Sequence, residues 1–340
     1  MRAIRLHAFG PAENLRIDDV PDPVPGPGEV RIAVEAAGVH LIDTMLRRGP
    51  GAAGTAPLPF PRSLPTVPGR EVAGTVDALG PDTDPAWLGR RVAAHLGPVP
   101  GGYAERAVTA AANLHALPDG LAADHAVALL GTGRMTMGIL RFADLTPDDT
   151  VLVLAAAGGI GTLLTQYAKH RGARVVGAAG GPAKAGAVAR LGADLALDYL
   201  APDWTDRARA ALGDARPVTL LCEGVGGDTA RAAVGLVARG GRHLSYGAAA
   251  GSGPLVLTPA EQADGGITSH VVVGPPLLER IGGPGNLRLL EEEALAHAAA
   301  GTFVPLVTRY PLAEAARAHR DLEDRATTGK VVLTTGPSGT

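Results

Sequence analysis

A single cysteine, Cys222, in 340 residues leaves no partner for an intramolecular disulfide and rules out a four-cysteine metal site. Aromatic residues make up 3% of the chain, too few to build a base-stacking surface for single-stranded nucleic acid. The formal net charge is −3, so bulk charge attracts neither nucleic acid nor an anionic membrane. No apolar run approaches the ~20 residues of a membrane helix. The opening Met1-Arg2-Ala3-Ile4-Arg5-Leu6-His7 carries charge where a secretory signal needs its apolar core, and the expected location is the cytoplasm. One further absence is local: no Asp or Glu occurs between Asp149 and Asp194.

What is present begins with ordinary globular material. Apolar residues are 46% and charged residues 19%, enough for two domains with sizeable cores. The most informative stretch is Val151 to Gly172. Val151-Leu152-Val153-Leu154 is an apolar run of the kind a parallel strand shows when both faces are covered. Ala156-x-Gly158-x-x-Gly161 follows at once, a dinucleotide fingerprint with alanine in its first position. Ile160, Leu163, Leu164, Tyr167 and Ala168 then repeat at helical spacing. Such a strand, turn and helix leaves backbone N–H groups and the positive end of the helix dipole where a pyrophosphate can sit. A glycine turn with a purely structural role is the competing reading.

The local absence of acid bears on which dinucleotide. Arg174-Val175-Val176 reads as the next strand, and an NAD site places an Asp or Glu about 20 residues past the first glycine, to hold the ribose 2′-hydroxyl. Here that place is Gly177-Ala178-Ala179-Gly180-Gly181, with Lys184 shortly after. Room and positive charge suit a 2′-phosphate, which favours NADPH. Lys184 taken alone also reads as a solvated helix lysine.

The chain divides by pattern. Up to about residue 118 it is β-rich: Arg2 to Leu6 and Glu29 to Val34 alternate polar and apolar residues, and short strands follow near 72–76, 91–94 and 101–108. Strands this short and close together suggest a small barrel. Gly49 to Gly69 is the most loop-like segment, a functional lid or a simple insertion. Leu121 to about Leu140 reads as helix. From Val151 strand and helix alternate through Val218 to Cys222 and Arg242 to Tyr246, the signature of a doubly wound sheet. A strand near 270–273, a helix over Leu287–Ala300, an amphipathic helix over Pro311–Leu322 and a strand at Lys330 to Leu333 complete the chain, and the last helix and strand return to the first domain.

The sequence resembles the zinc-free, quinone-oxidoreductase-like branch of the medium-chain dehydrogenase/reductase family over nearly its whole length. The resemblance is carried by Val20-Pro21-Asp22-Pro23 with Pro27-Gly28-Glu29-Val30, Ala36-Ala37-Gly38-Val39 with Asp43-Thr44, Ala155 to Gly161, Val225-Gly226-Gly227-Asp228-Thr229, and Thr327-Thr328-Gly329-Lys330. It implies an α/β fold: a Rossmann doubly wound parallel sheet over 121–274, and a GroES-like β-barrel catalytic domain over 1–120 completed by 275–340. It further implies NADPH as cofactor, held in a cleft between the domains, and a homodimer. By position it assigns Ala157, Gly158, Gly159 and Ile160 to the pyrophosphate turn. Gly180, Lys184, Tyr199 and Arg325 go to the 2′-phosphate, and Tyr246 and Gly247 to a strand end beside the cofactor.

The expected activity is hydride transfer from NADPH to a quinone or other conjugated carbonyl. The alternatives are an enoyl or enone reductase of a biosynthetic pathway, and a non-catalytic NADPH-binding protein. Zinc-dependent relatives carry a cysteine after Ala-Gly-Val and a His-Glu pair; this chain has His40 and Arg70-Glu71, and no metal is expected. His40, Asp43 and Met45 fall at the expected acceptor end. His40 either donates a proton to the acceptor oxygen or only shapes the pocket, and Asp43 either orients the loop or makes an ordinary Asp-Thr turn. Lys330 either assists electrostatically or is an exposed strand-end lysine. Arg134 has three readings: contact with an acidic substrate, solvent exposure, or pairing with a structural carboxylate.

Overall fold

The computed structural model describes residues 1–50, 63–97, 101–251 and 253–336; most of the loop expected at 49–69 lies outside them. The chain forms two compact units, Met1–Thr132 with Pro305–Thr340, and Gly133–Val304.

In the second unit the alternating pattern becomes a six-stranded parallel sheet. Its spatial order is Leu195–Asp198, Arg174–Ala179, Thr150–Leu154, Val218–Glu223, Val237–Ser245, Thr268–Val271. Numbered along the chain this is 3-2-1-4-5-6, the doubly wound order, and the direction of winding reverses between Thr150–Leu154 and Val218–Glu223. Both faces of the central strands are covered: Val151 and Val153 belong to one apolar cluster, Leu152 and Leu154 to the other, and all four are buried. That is why the strand reads as a continuous apolar run rather than an alternating one. Gly177 has a packing role, because a Cβ there would lie 2.2 Å from Val188 on the helix Pro182–Arg190.

The first unit is built on Glu29–Val39. That strand pairs antiparallel with Glu71–Leu79, with Arg106–Ala110 over its first half and with Lys330–Thr334 over its second. Val307–Pro311 extends the sheet beyond Lys330–Thr334, and Arg91–His95 with Leu114–Ala116 extends it on the other side. The alternation in Glu29–Val34 has its expected cause: Val30, Ile32 and Val34 are buried in one core with Val72, Val76 and Val92. Ala36, Ala73, Ala93 and Val332 form the seat of the helix Ala123–Leu129. Small side chains let the helix pack directly on the sheet.

Three local expectations change. The helix expected over Leu121–Leu140 is two helices, Ala123–Leu129 and Gly131–Leu140, broken at Leu130, where ψ is −91°. The strand expected at 101–108 is ordered only as Arg106–Ala110, preceded by a single bridge from Ala104 to Ala3. The units divide at 132/133 and 304/305, whereas the resemblance implied divisions at 120/121 and 274/275. Residues 121–132 stay with the sheet that the helix Ala123–Leu129 covers. Residues 275–304 stay with the second unit, through Leu277 against Gly138, the Arg141–Glu293 ion pair, and Tyr167 with His297 and Phe303.

Candidate functional site

Two sets of the predicted residues are each assembled within one unit. In the second unit, the strand Thr150–Leu154 passes through Ala155 to the helix Gly159–His170. Ala155 has φ +50°, a left-handed conformation uncommon for a residue with a side chain. The turn closes with Gly158 N–H donating to the Ala155 carbonyl at 2.8 Å. Gly161 is required by space: a Cβ there would stand 2.3 Å from the Ala155 oxygen and 2.7 Å from the Ala156 Cα. No side chain caps the helix start at Gly158, so its first N–H groups point outward as a helix N-terminus leaves them. Ala157 is buried, while Gly158, Gly159 and Ile160 are half-buried. This backbone cradle fits a pyrophosphate.

The neighbouring strand Arg174–Ala179 ends in small residues. Gly180 lies against the Tyr199 ring, 3.2 Å from a Cβ position, and Lys184 is half-buried in the first turn of the helix Pro182–Arg190. One carboxylate does come close, from the next strand. Asp198 Oδ1 accepts from Gly181 N–H at 2.7 Å and from Leu200 N–H at 2.9 Å, so this oxygen is turned to backbone amides. On the other side of the switch point, the Tyr246 ring lies over Gly224, and Gly247 closes onto the Gly224 carbonyl. Buried Glu223 holds these loops together by accepting from Val225 N–H, Gly226 N–H and the Ser245 hydroxyl at 2.8–2.9 Å. Sequence reading missed Glu223; its signal is an acid ending an otherwise apolar strand.

Arg325, in the first unit, follows the helix Ala315–Glu323 in a left-handed conformation, φ +56°. Ala326 N–H reaches back to the Asp321 carbonyl at 2.7 Å, the helix-ending turn that normally carries glycine.

The second set lies in the first unit, where His40 caps the helix Leu41–Arg48. Asp43 Oδ2 accepts from His40 N–H at 2.8 Å and from the buried Tyr103 hydroxyl at 3.2 Å. That hydroxyl also lies 3.2 Å from His319 Nε2. Burial pushes the His319 imidazole down to about 4, and its Nδ1 is buried without a partner among the described residues. Asp43 is therefore a buried anchor for the start of the helix. Met45 lies half-buried on the same helix, outside this hydrogen-bonded set.

The His40 ring points its Nε2 at two groups: Glu71 Oε2 at 2.6 Å and Lys330 Nζ at 2.6 Å. Lys330 also stands 3.5 Å from Glu71 Oε2. Lys330 is 4% exposed, which overturns the reading of it as a surface lysine. Burial alone raises the Glu71 carboxyl; the neighbouring His40 imidazole and Lys330 ammonium override it and hold the group well below the usual carboxylate range. Arg134, the other open case, pairs with Glu291 at 2.8 Å and so serves a structural carboxylate. Among the described residues, no group of three or more His, Cys, Asp or Glu side chains could hold a metal ion, and no helix is long and apolar enough to cross a membrane.

Comparison with known proteins covers the chain from end to end. A family model described as alcohol dehydrogenase GroES-like domain matches residues 26–119, and one described as zinc-binding dehydrogenase matches residues 159–273. A quinone oxidoreductase of Pseudomonas aeruginosa is 34% identical over 338 residues, covering 98% of this chain and 99% of its own length. A 2-haloacrylate reductase of a Burkholderia species is 30% identical, with 96% and 97% covered. The crystal structure of Escherichia coli quinone oxidoreductase complexed with NADPH superposes with a TM-score of 0.83 at 28% identity, covering 98% of this chain and all of that one. With a glycine turn at the switch point of a doubly wound sheet, and with relatives matched from end to end, the chain belongs to the medium-chain dehydrogenase/reductase family, in its quinone-oxidoreductase branch.

Proposed function

We propose that the protein is an NADPH-dependent oxidoreductase that passes hydride to a quinone or another conjugated carbonyl acceptor. One observation carries the cofactor half of this reading: an uncapped helix start at Gly158 stands beside a strand end, Ala178 to Gly181, that contributes no acidic side chain. The relative crystallised with NADPH supports it.

When bound, NADPH supplies the hydride. The chain's part is to bind and orient. N–H groups of Gly159 and Ile160 receive the pyrophosphate, with Ala157 and Gly158 forming the turn behind them. Gly180, Lys184, Tyr199 and Arg325 receive the 2′-phosphate, and Tyr246 with Gly247 flanks the cofactor. His40 stands at the acceptor end, with Asp43 fixing its backbone and Met45 contributing apolar wall. No metal enters this reading, because His40 and Arg70-Glu71 replace the cysteine and the His-Glu pair of zinc-dependent relatives. The working form is a homodimer.

Reduction of an activated carbon–carbon double bond is the second reading, supported by the Burkholderia relative named for a haloacrylate. The test is loss of the near-ultraviolet absorbance of NADPH against a quinone, an enone and a saturated aldehyde, with NADH as the paired control. Quinone turnover with NADPH is expected. Turnover of the enone alone moves the protein to the second reading, and tight NADPH binding without oxidation by any acceptor overturns both.

A further inference from the structure

The polar cluster around His40 contains one more partner than its chemistry can satisfy. An imidazole nitrogen has a single in-plane position, at which it either donates or accepts. At His40 Nε2 that position is claimed by Glu71 Oε2 and by Lys330 Nζ, each 2.6 Å away. A carboxylate only accepts and an ammonium only donates. A bare Nε2 accepts from Lys330; a protonated Nε2 donates to Glu71, and Lys330 then turns to the Glu71 oxygen 3.5 Å away. Both bonds cannot be made at once.

The two claimants are held in place. The Glu71 and Lys330 side chains are 3% and 5% exposed, against 29% for His40. Two glycines make the room. A Cβ on Gly38 would lie 2.7 Å from Glu71 Oε2 and 3.2 Å from Lys330 Cε, and one on Gly131 would lie 1.9 Å from Glu71 Oε1 and 3.0 Å from His40 Cε1. Opposite charges at equal distance act on a proton at Nε2 with opposite sign. The helix that His40 caps adds its positive end, which disfavours a cationic ring. Among the described residues, the other titratable groups facing the cluster include Asp43, bonded to the His40 backbone N–H and to Tyr103, Tyr103 itself, which feels the Glu71 charge, and His95, opposite Glu71 across the strand pair.

We propose that Lys330 is a positioning residue that contests the proton on His40 Nε2 with Glu71, so that this buried pair decides the protonation of the ring at the acceptor end. The functional meaning rests on the reading of His40 given above; the geometry of the contest does not.

The test is a pH titration of the imidazole nitrogens by NMR in the full chain labelled with nitrogen-15 histidine, with His40 assigned by its loss in His40→Asn. In Lys330→Met only Glu71 remains, and the His40 midpoint rises; in Glu71→Gln only Lys330 remains, and it falls. Each shift is about 1–3 pH units, the range for a single close charge. Lys330→Arg keeps the charge and stays near the parent midpoint. Lys330→Gln serves in place of Lys330→Met if the latter does not fold. Movement of both neutralising variants in the same direction, or of neither, overturns the proposal. Opposed shifts combined with full acceptor turnover by His40→Asn uphold the contest and instead overturn the placement of His40 at the acceptor.

Discussion

The turn from Ala155 to Gly161 is seven consecutive residues that act through backbone, whereas the His40 cluster gathers side chains from positions 40, 71 and 330. The first binds by shape and by N–H groups that any sequence of small residues could present. The second depends on the identity and charge of every member. A region made of backbone is sensitive to volume and tolerant of charge; a region made of buried charges is the reverse.

The sharpest break of that contrast is removal of one charge from the cluster. Glu71→Leu leaves the Lys330 ammonium buried without its carboxylate and is expected to cost about 3–5 kcal/mol in denaturant unfolding. The double change Glu71→Leu with Lys330→Met removes both charges and is expected to recover most of that loss. A double variant as unstable as the single would mean that packing, not charge, holds the cluster.

Acid gives the next effect. Folding depresses His319 to about 4 from an ordinary 6.5, so the unfolded chain takes the proton first as pH falls. Stability is therefore present above pH 6.5 and lost as pH falls through the window from 6.5 to 4, by roughly 3 kcal/mol for this group. His243 in the other unit is depressed to the same value by burial, so both regions weaken over one window. His319→Phe separates them, and thermal melts across the window should show a shallower dependence in that variant.

At the turn the sensitive quantity is size. Gly161→Val sets a side chain against backbone atoms of Ala155 and Ala156 and is expected to cost about 1–3 kcal/mol and to abolish NADPH binding by titration. Charge has the smaller effect here. Lys184→Ala with Arg325→Ala is expected to lower the NADPH-over-NADH affinity ratio by about tenfold, the equivalent of ~1.4 kcal/mol, without loss of the fold. An unchanged ratio would contradict the placement of the 2′-phosphate.

The same contrast explains how much could be read from the sequence. The turn, its strand and its helix were legible because the signal is contiguous: an apolar run, three spaced small residues, a helical period. The doubly wound order followed from the alternation of elements. The cluster was legible only in part. His40 and Asp43 stand together in the chain and on the helix, but nothing local decides between an electrostatic role and a surface position for Lys330 until Lys330–Thr334 is seen paired antiparallel to the end of Glu29–Val39. Glu71 likewise gives no local sign that it will meet a cation from 259 residues away. Tyr103 and His319 were missed for the same reason, since a buried hydrogen bond across 216 residues has no period. The expected division at 274/275 differs from the contact division at 304/305 because helices packed by ion pairs and single apolar contacts look alike whichever unit they join.

The second unit presents a backbone cradle beside a strand end, Ala178 to Gly181, that carries no acid, and the nearby Asp198 oxygen is held by the Gly181 and Leu200 amides. Calorimetric titration of the protein with NADPH and with NADH under identical conditions tests most directly for a 2′-phosphate site there. NADPH is expected to bind more tightly by at least about tenfold, some 1.4 kcal/mol; NADH bound as tightly as NADPH, or more tightly, would rule out a 2′-phosphate site here.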